Sequence, residues 1–412
     1  MFKTIVRKEV LANLLSYKFA IVILLASVLI ATSLFVMARD FRGRLADYQL
    51  IRPKPGEAIA VLPPNPLSVF AKGLEDSMTR SFEVEAVGIE ARTGRSAANA
   101  VFAFFPAPDF LYIVKVVLSL VALLFGFDLV TREREAGTLK LALANPVSRA
   151  AVLAGKWAGN FLSLSVPFLL VTGAGVALLA LVPGLRWSGP ALGRLAFVLG
   201  ASLAYMALFL SLGLLVSALS RRSSTSLVIL LLLWALLVFV LPNLGTLVAR
   251  QVVDAPSVKA MSEKRQQIWT REVLLSIAER GSWDVRVKAM NDEFDRLEED
   301  YRLRFDRLVR LSKILNRVSP AAALVYASTE AAGTGIGEES RLKTEVIRYK
   351  NQALPGLSRD RTARSAPAFA YRYRTLGEVL AAGGLFDLAW LLVFNLVFFA
   401  ASFVAFVRAD AR

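Results

Sequence analysis

The residues able to do chemistry in this chain are carboxylates, amines and hydroxyls, because it contains neither His nor Cys. That excludes Ser-His-Asp and Cys-His nucleophile pairs and the usual zinc, haem and iron–sulfur ligands. It also excludes a disulfide brace for any part facing an oxidising compartment. The nearest approach to phosphate chemistry is Gly155-Lys156. Trp157, however, stands where a phosphate-binding loop needs Ser or Thr, and Ala150 where it needs its first Gly. Nucleotide hydrolysis, if it drives this protein, must come from another chain. Inside apolar sequence the ionisable residues are Lys115 and Asp128, near opposite ends of the run 110–130. They could line a substrate or ion path, or anchor the two membrane interfaces through a snorkelling stem and a short carboxylate. No run of inward carboxylates accompanies them, which weakens an ion-driven carrier.

The densest polar signal is the string from Gly126 to Arg149, and the elements around it follow from its punctuation. Gly137 ends a helix arriving from the preceding apolar run, and Thr138 can cap a new one containing Leu139, Leu141, Ala142 and Leu143. Asn145 before Pro146 stops that short unit. Ser148 caps a further helix that passes Gly155 and Lys156 into the next apolar run. A short, partly apolar helix held between two stiff helices can transmit force when a partner's groove grips it. An ordinary basic loop that fixes topology would carry much of the same composition.

Those stiff helices belong to a membrane. The 412 residues are 56% hydrophobic and 20% charged, with mean hydropathy +0.53, against about 45–50% and about 25% in soluble domains. A hydrocarbon core of about 30 Å takes about 20 apolar residues of helix. Six runs qualify: 19–38, 110–130, 157–185, 195–220, 223–249 and 388–407. Lys/Arg counts in the short connections orient them. Lys3, Arg7, Lys8, Lys18, Arg132, Arg134, Lys140, Arg149, Lys156, Arg221, Arg222, Arg408 and Arg412 fall on one side, and Arg186 alone on the short connection opposite. Both termini are therefore expected in the cytoplasm, with two long segments outside. The net charge of +16 is then an orientation signal and not a nucleic-acid footprint. The first run is too long for a signal-peptide core and is not followed by a small-residue cleavage site.

Residues 2–16 carry Phe2, Ile5, Val6, Val10 and Leu14 at three- and four-residue steps among Lys3, Arg7 and Lys8. That pattern predicts a helix lying on the cytoplasmic surface. Ala151, Gly155 and Gly159, spaced by four, would admit a second helix closely at that end of the third span. Pro167 predicts a kink further along it.

The string Glu133-Arg134-Glu135-Ala136-Gly137-Thr138-Leu139, followed by Pro146 to Arg149 and by Gly155-Lys156, resembles the membrane subunits of ABC transporters of the type 2 exporter class. The likeness is specific over about residues 110–160. A looser likeness, to a subgroup with large extracytoplasmic insertions, lies in Ser319-Pro320-Ala321-Ala322-Ala323 and Ala332-Gly333-Thr334. The resemblance implies that the loop is a coupling helix gripped by ABC ATPase subunits, with Glu133, Glu135, Gly137, Thr138, Leu139, Leu141, Pro146, Arg149 and Lys156 as the coupling residues. It further implies ATP bound on the partner subunit, no cofactor in this chain, and a homodimer or a heterodimer with a second permease.

Outside the membrane, residues 39–109 balance nine basic with nine acidic residues. They mix prolines with the alternation Phe82, Val84, Ala86, which fits a small, partly β unit. In the second external segment Val287, Met290, Phe294, Leu297, Tyr301, Leu308, Leu311 and Leu315 fill eight of nine heptad positions, broken at Arg304. That stripe predicts a helix packed on the stretch 257–280 as a hairpin. Arg359, Arg361, Arg364, Arg372 and Arg374 cluster before the last span, either as a solvated basic loop or as a site for an anionic substrate or lipid head groups.

The expected fold is an all-α polytopic inner-membrane protein with six transmembrane helices, an N-terminal interfacial helix and a helical extracytoplasmic domain. Its parts are 1–18 (interfacial helix), 19–38 (first span), 39–109 (extracytoplasmic segment), 110–131 (second span) and 132–156 (coupling loop). They continue with 157–249 (third to fifth spans), 250–385 (extracytoplasmic helical domain) and 386–412 (last span and tail). The expected function is the permease subunit of an ATP-driven exporter, not itself an enzyme, in contact with membrane lipids and not with nucleic acid. The competing reading is a non-transporting scaffold whose external hairpin recruits an extracytoplasmic partner protein.

Overall fold

The computed structural model describes residues 2–51, 58–75, 78, 81–84, 89–92, 108–139, 148–185, 187–254, 257–278, 283–357 and 369–408. In chain order its helices are α1 (Phe2–Leu14), α2 (Tyr17–Leu50), α3 (Phe110–Glu135), α4 (Arg149–Leu179), α5 (Gly189–Leu219) and α6 (Ser223–Val252). They continue as α7 (Val258–Ala278), α8 (Trp283–Asn316), α9 (Pro320–Ala332), α10 (Ile336–Leu357) and α11 (Leu376–Arg408). Three short strands, β1 (Ile59–Val61), β2 (Ser81–Val84) and β3 (Ile89–Arg92), lie between α2 and α3. Helices α2, α3, α4, α5, α6 and α11 are long and apolar enough to cross a membrane. The chain is a helical, multi-pass membrane protein.

Helix α5 is the centre of the bundle. In its most apolar stretch 72% of residues are buried, against 61% in α3 and 11% in α6, so α3 and α5 form the core and α6 lies at the rim. Polar side chains join the core helices where apolar packing alone would leave their rotation free. Trp157 Nε1 of α4 donates to Ser211 Oγ of α5 at 2.9 Å, and that hydroxyl donates to Asn395 Oδ1 of α11 at 2.7 Å. Lys115 and Asp128 are each engaged at their own end of α3. The Lys115 ammonium lies over the Tyr112 ring, 5.4 Å from its centroid, and Asp128 pairs with Arg132 at 3.9 Å. This arrangement fits interfacial anchoring.

The first span runs past residue 38. At about 1.5 Å per residue the 34 residues of α2 reach about 51 Å, well beyond the hydrocarbon core. Its outer turns are held by charge: Arg44 pairs with Asp40 at 3.3 Å and with the buried Glu75 at 3.1 Å, and donates to Ser68 Oγ at 3.1 Å. The expected β unit follows it. β1 and β2 pair antiparallel with Ala60 opposite Phe82, and β2 and β3 pair with Phe82 opposite Ala91. Ala58, Ala60, Leu62 and Val84 pack on Leu342, Val346 and Tyr349 of α10, so the sheet is covered on one face by a helix from the segment between α6 and α11. Ala86 lies outside the described residues.

The heptad stripe of α8 serves two partners. Val287, Met290, Phe294 and Leu297 pack with Ile268 of α7, which forms the expected hairpin. Farther down, α8 runs along the outer end of α6, and Asn316 donates to Thr246 Oγ1 of α6 at 3.1 Å and to Tyr326 of α9 at 3.0 Å. α9 is capped at Ser319, which accepts from Ala322 N, and closed by Gly333 at φ +73°. It packs against α5 and α11, with Ala321, Ala323, Leu324 and Ala327 in the same apolar core as the spans. Its small residues allow this, since each brings the helix backbone close to its neighbours. In the outer layer Glu338 accepts from Tyr371 Oη at 2.7 Å and Arg341 at 2.7 Å, and Arg374 lies 3.6 Å away. Burial, with the Glu338 carboxylate beside it, pushes the Tyr371 phenol well above its usual pKa. Arg374 of the basic cluster is thereby placed against an acid, and Arg372 pairs with Glu378 at 3.2 Å; Arg359, Arg361 and Arg364, like Arg186, lie outside the described residues.

Candidate functional site

At the basic end of the bundle the predicted coupling residues meet α1. Ser148 accepts from Ala151 N at 3.2 Å and starts α4. About two and three turns later Gly155 and Gly159 face α1, where a Cβ would stand 2.8 Å from Ile5 Cγ2 and 2.6 Å from Glu9 Cβ respectively. Only glycine permits that approach. Asn13 of α1 then donates to Asn160 Oδ1 at 2.9 Å and to Ser163 Oγ at 3.2 Å. The helix predicted from residues 2–16 is therefore docked on α4 along its Ile5, Val6 and Glu9 face.

The docking brings four charges together. Lys156 Nζ lies 2.6 Å from Glu133 Oε1 and 3.2 Å from Glu9 Oε1, and Lys8 Nζ is 3.4 Å from the same Glu133 oxygen. Lys156 and Glu9 are 3% and 4% exposed, which makes this a buried junction and not a surface pair. Buried charges are retained only when paired. The cluster thus fixes where the end of α3 and the whole of α1 sit on α4.

The two residues after Glu133 turn the other way. The Arg134 guanidinium donates to the carbonyl of Ser220 and, at 3.2 Å, to that of Ala218, which satisfies the C-terminal carbonyls of α5. Glu135 accepts from the backbone N and the Oγ of Ser223, both at 2.8 Å, and so caps the first turn of α6 from another helix. Thr131 and Ser217 complete the contact: Ser217 Oγ accepts from the backbone N of Val130 at 3.0 Å and of Thr131 at 3.2 Å. Three consecutive residues, Glu133-Arg134-Glu135, grip α4 with α1, the end of α5 and the start of α6. This one short segment thus contacts four helices.

Beyond the grip Gly137 takes φ +70° and closes the helix, its N–H donating to Arg134 O at 3.1 Å. Thr138 Oγ1 donates to Glu133 O at 3.3 Å, and Leu139 is buried. Arg149, at the start of α4, donates to Val407 O of α11 at 2.7 Å. Leu141 and Pro146 lie outside the described residues, with the rest of 140–147. The structure therefore joins Glu133 to Lys156, places Glu135, Gly137, Thr138 and Leu139 on the same segment, and sets Arg149 apart on α11. Sequence reasoning missed Glu9, Arg134, Ser217 and Ser223. Glu9 had a signal: it stands four residues after Ile5 and three after Val6, on the apolar stripe of α1.

Comparisons with known proteins bear on the chain as a whole. The family model described as ABC-2 family transporter protein matches residues 4–411. A probable ABC transporter permease protein NosY of Pseudomonas aeruginosa is 37% identical over 147 residues, which is 35% of this chain and 52% of that protein. The protein of the same description from Stutzerimonas stutzeri is 33% identical over 108 residues, 26% of this chain and 39% of its own length. The matched region thus spans about half of one curated relative and two fifths of the other.

Proposed function

From the premise that this chain belongs to the ABC-2 family of transporter proteins, we propose that it is the permease subunit of an ATP-driven exporter in the inner membrane. Its basic end, with both termini, faces the cytoplasm, as the distribution of Lys and Arg requires. ATP is hydrolysed on separate ABC ATPase subunits that grip the segment after Gly137, and two permease chains together form the path. The observation that carries this reading is the triple grip of Glu133, Arg134 and Glu135 on α4 with α1, on α5 and on α6. A helix seated in a partner's groove moves as one body with it. Displacement of the segment would therefore shift α1, α4, α5 and α6 together.

The test is retention of partners. The full chain, extracted in mild detergent, should carry an ATPase subunit through purification in a one-to-one ratio, and deletion of 138–147 should release it while membrane insertion persists. Retention of the ATPase by the deleted chain, or its absence from the intact one, would contradict the proposal. An external protein retained in its place would favour the scaffold reading.

A further inference from the structure

Next to the turn that Arg134 and Glu135 hold is an open groove of about 880 Å³ between the last turns of α5, the first half of α6 and Phe398 of α11. Its walls are apolar, among them Leu212, Leu219, Ile229 and Leu233, and its mouth carries Arg221 and Arg222. From Thr225 to Leu237, both on the lining, α6 rises about 18 Å, a little more than half of the roughly 30 Å hydrocarbon core. The groove therefore runs from the head-group level of one leaflet to near the bilayer midplane, the reach of one lipid.

Its charge selects which lipid. The side chains of Arg221 and Arg222 are exposed and hydrogen-bond no other described residue. The neighbouring charges are Arg134, occupied by the α5 carbonyls, and Glu135, occupied by Ser223. Glu135 acts on Arg222 through space, yet the three arginines outnumber it, so the mouth keeps a net positive charge, with two guanidinium forks that hydrogen-bond no described residue and suit bidentate contact with phosphate. Basic pockets between transmembrane helices at the cytoplasmic face are sites for anionic head groups.

We propose that this groove binds one anionic phospholipid of the leaflet at the basic end, its phosphate between Arg221 and Arg222 and its acyl chains along Leu219, Ile229 and Leu233. The bound lipid would contact the same α5–α6 turn that the Glu135 cap holds. The assignment to the cytoplasmic leaflet rests on the orientation proposed above; the binding itself does not.

The experiment is native mass spectrometry of the delipidated full chain titrated with phosphatidylglycerol or phosphatidylcholine, which needs no ATPase and no membrane orientation. The wild type should retain phosphatidylglycerol about tenfold better than phosphatidylcholine. Arg221→Gln/Arg222→Gln should abolish that preference, Ile229→Trp should fill the groove and reduce retention of both lipids, and Lys3→Gln/Arg7→Gln should match the wild type. Equal retention of the two lipids by the wild type, or an unchanged preference in the double arginine variant, would overturn the site. So would a second copy occupying the groove. The chain has no Cys, so efficient disulfide dimerisation of Ile229→Cys in native membranes would reveal that copy. Failure of any of these leaves co-purification of the ATPase untouched.

Discussion

Lys156 and Glu133 approach to 2.6 Å with Glu9 at 3.2 Å on the other side of the same ammonium. One cation on α4 thereby joins an acid from the end of α3 to an acid from α1. Pairs this buried add little net stability, because desolvation offsets much of the Coulomb attraction, whereas removing one member leaves an uncompensated charge. The junction therefore specifies position: it permits one seating of α1 and of the Glu133 segment on α4.

Lys156→Met should leave Glu9 and Glu133 facing each other with only the exposed Lys8 nearby, at a cost of about 3 kcal/mol. The triple variant Glu9→Gln/Glu133→Gln/Lys156→Met should recover more than half of that loss. Denaturant unfolding in detergent, followed by Trp fluorescence, measures both. Equal stability of the single variant and the wild type would show that the junction is open to water.

Gly159→Ala should displace α1, since the added Cβ meets Glu9 Cβ at 2.6 Å and the Val6 carbonyl at 3.1 Å. Overpacking of this kind costs about 1–3 kcal/mol, here taken from docking of α1 and not from the bundle. Trypsin should then cut at Lys3, Arg7 and Lys8 at least tenfold faster, while the melting temperature of the remainder hardly moves. Unaltered cleavage would mean that α1 is not held by this contact.

Met290→Ala should loosen the external hairpin alone. Met290 is fully buried between α7 and α8, and truncation of such a side chain costs about 2–5 kcal/mol. Hydrogen exchange should accelerate in 257–300 while α3 and α5 keep their protection. A loss of protection spread through the spans would show that the hairpin and the bundle unfold as one unit.

The spans, the caps and the junction were legible to different degrees, for physical reasons. Apolar runs and Lys/Arg asymmetry are one-dimensional signals, and the six long helices follow from them. Ser148 and Gly137 act within a turn of their own chain positions, and both take the cap roles that their types imply. The spacing of Gly155 and Gly159 announced a close helix approach, though not that α1 would supply it. Arg134 reads in sequence as one more orienting charge, because its partners are carbonyls of residues 218 and 220, more than 80 positions away. The thirteen residues of α9 are too few to cross a membrane, and their alanines give no periodic stripe. Their burial between α5 and α11 depends on neighbours that no local pattern names. The same holds for the covering of β1 and β2 by α10. The heptad stripe of α8 was plain, but the later part of that helix runs along α6 and not only along the α7 that precedes it.

The most direct test of the account is stimulated ATP turnover in proteoliposomes containing the ATPase subunit with wild-type, Glu135→Ala or Gly137→Val permease. Glu135→Ala removes the cap on Ser223, and Gly137→Val forces a β-branched residue into φ +70°. Both should insert at wild-type abundance and lower stimulation about fivefold or more. Wild-type stimulation in both variants, at equal abundance, would contradict the claim that this segment transmits the ATPase stroke to the spans.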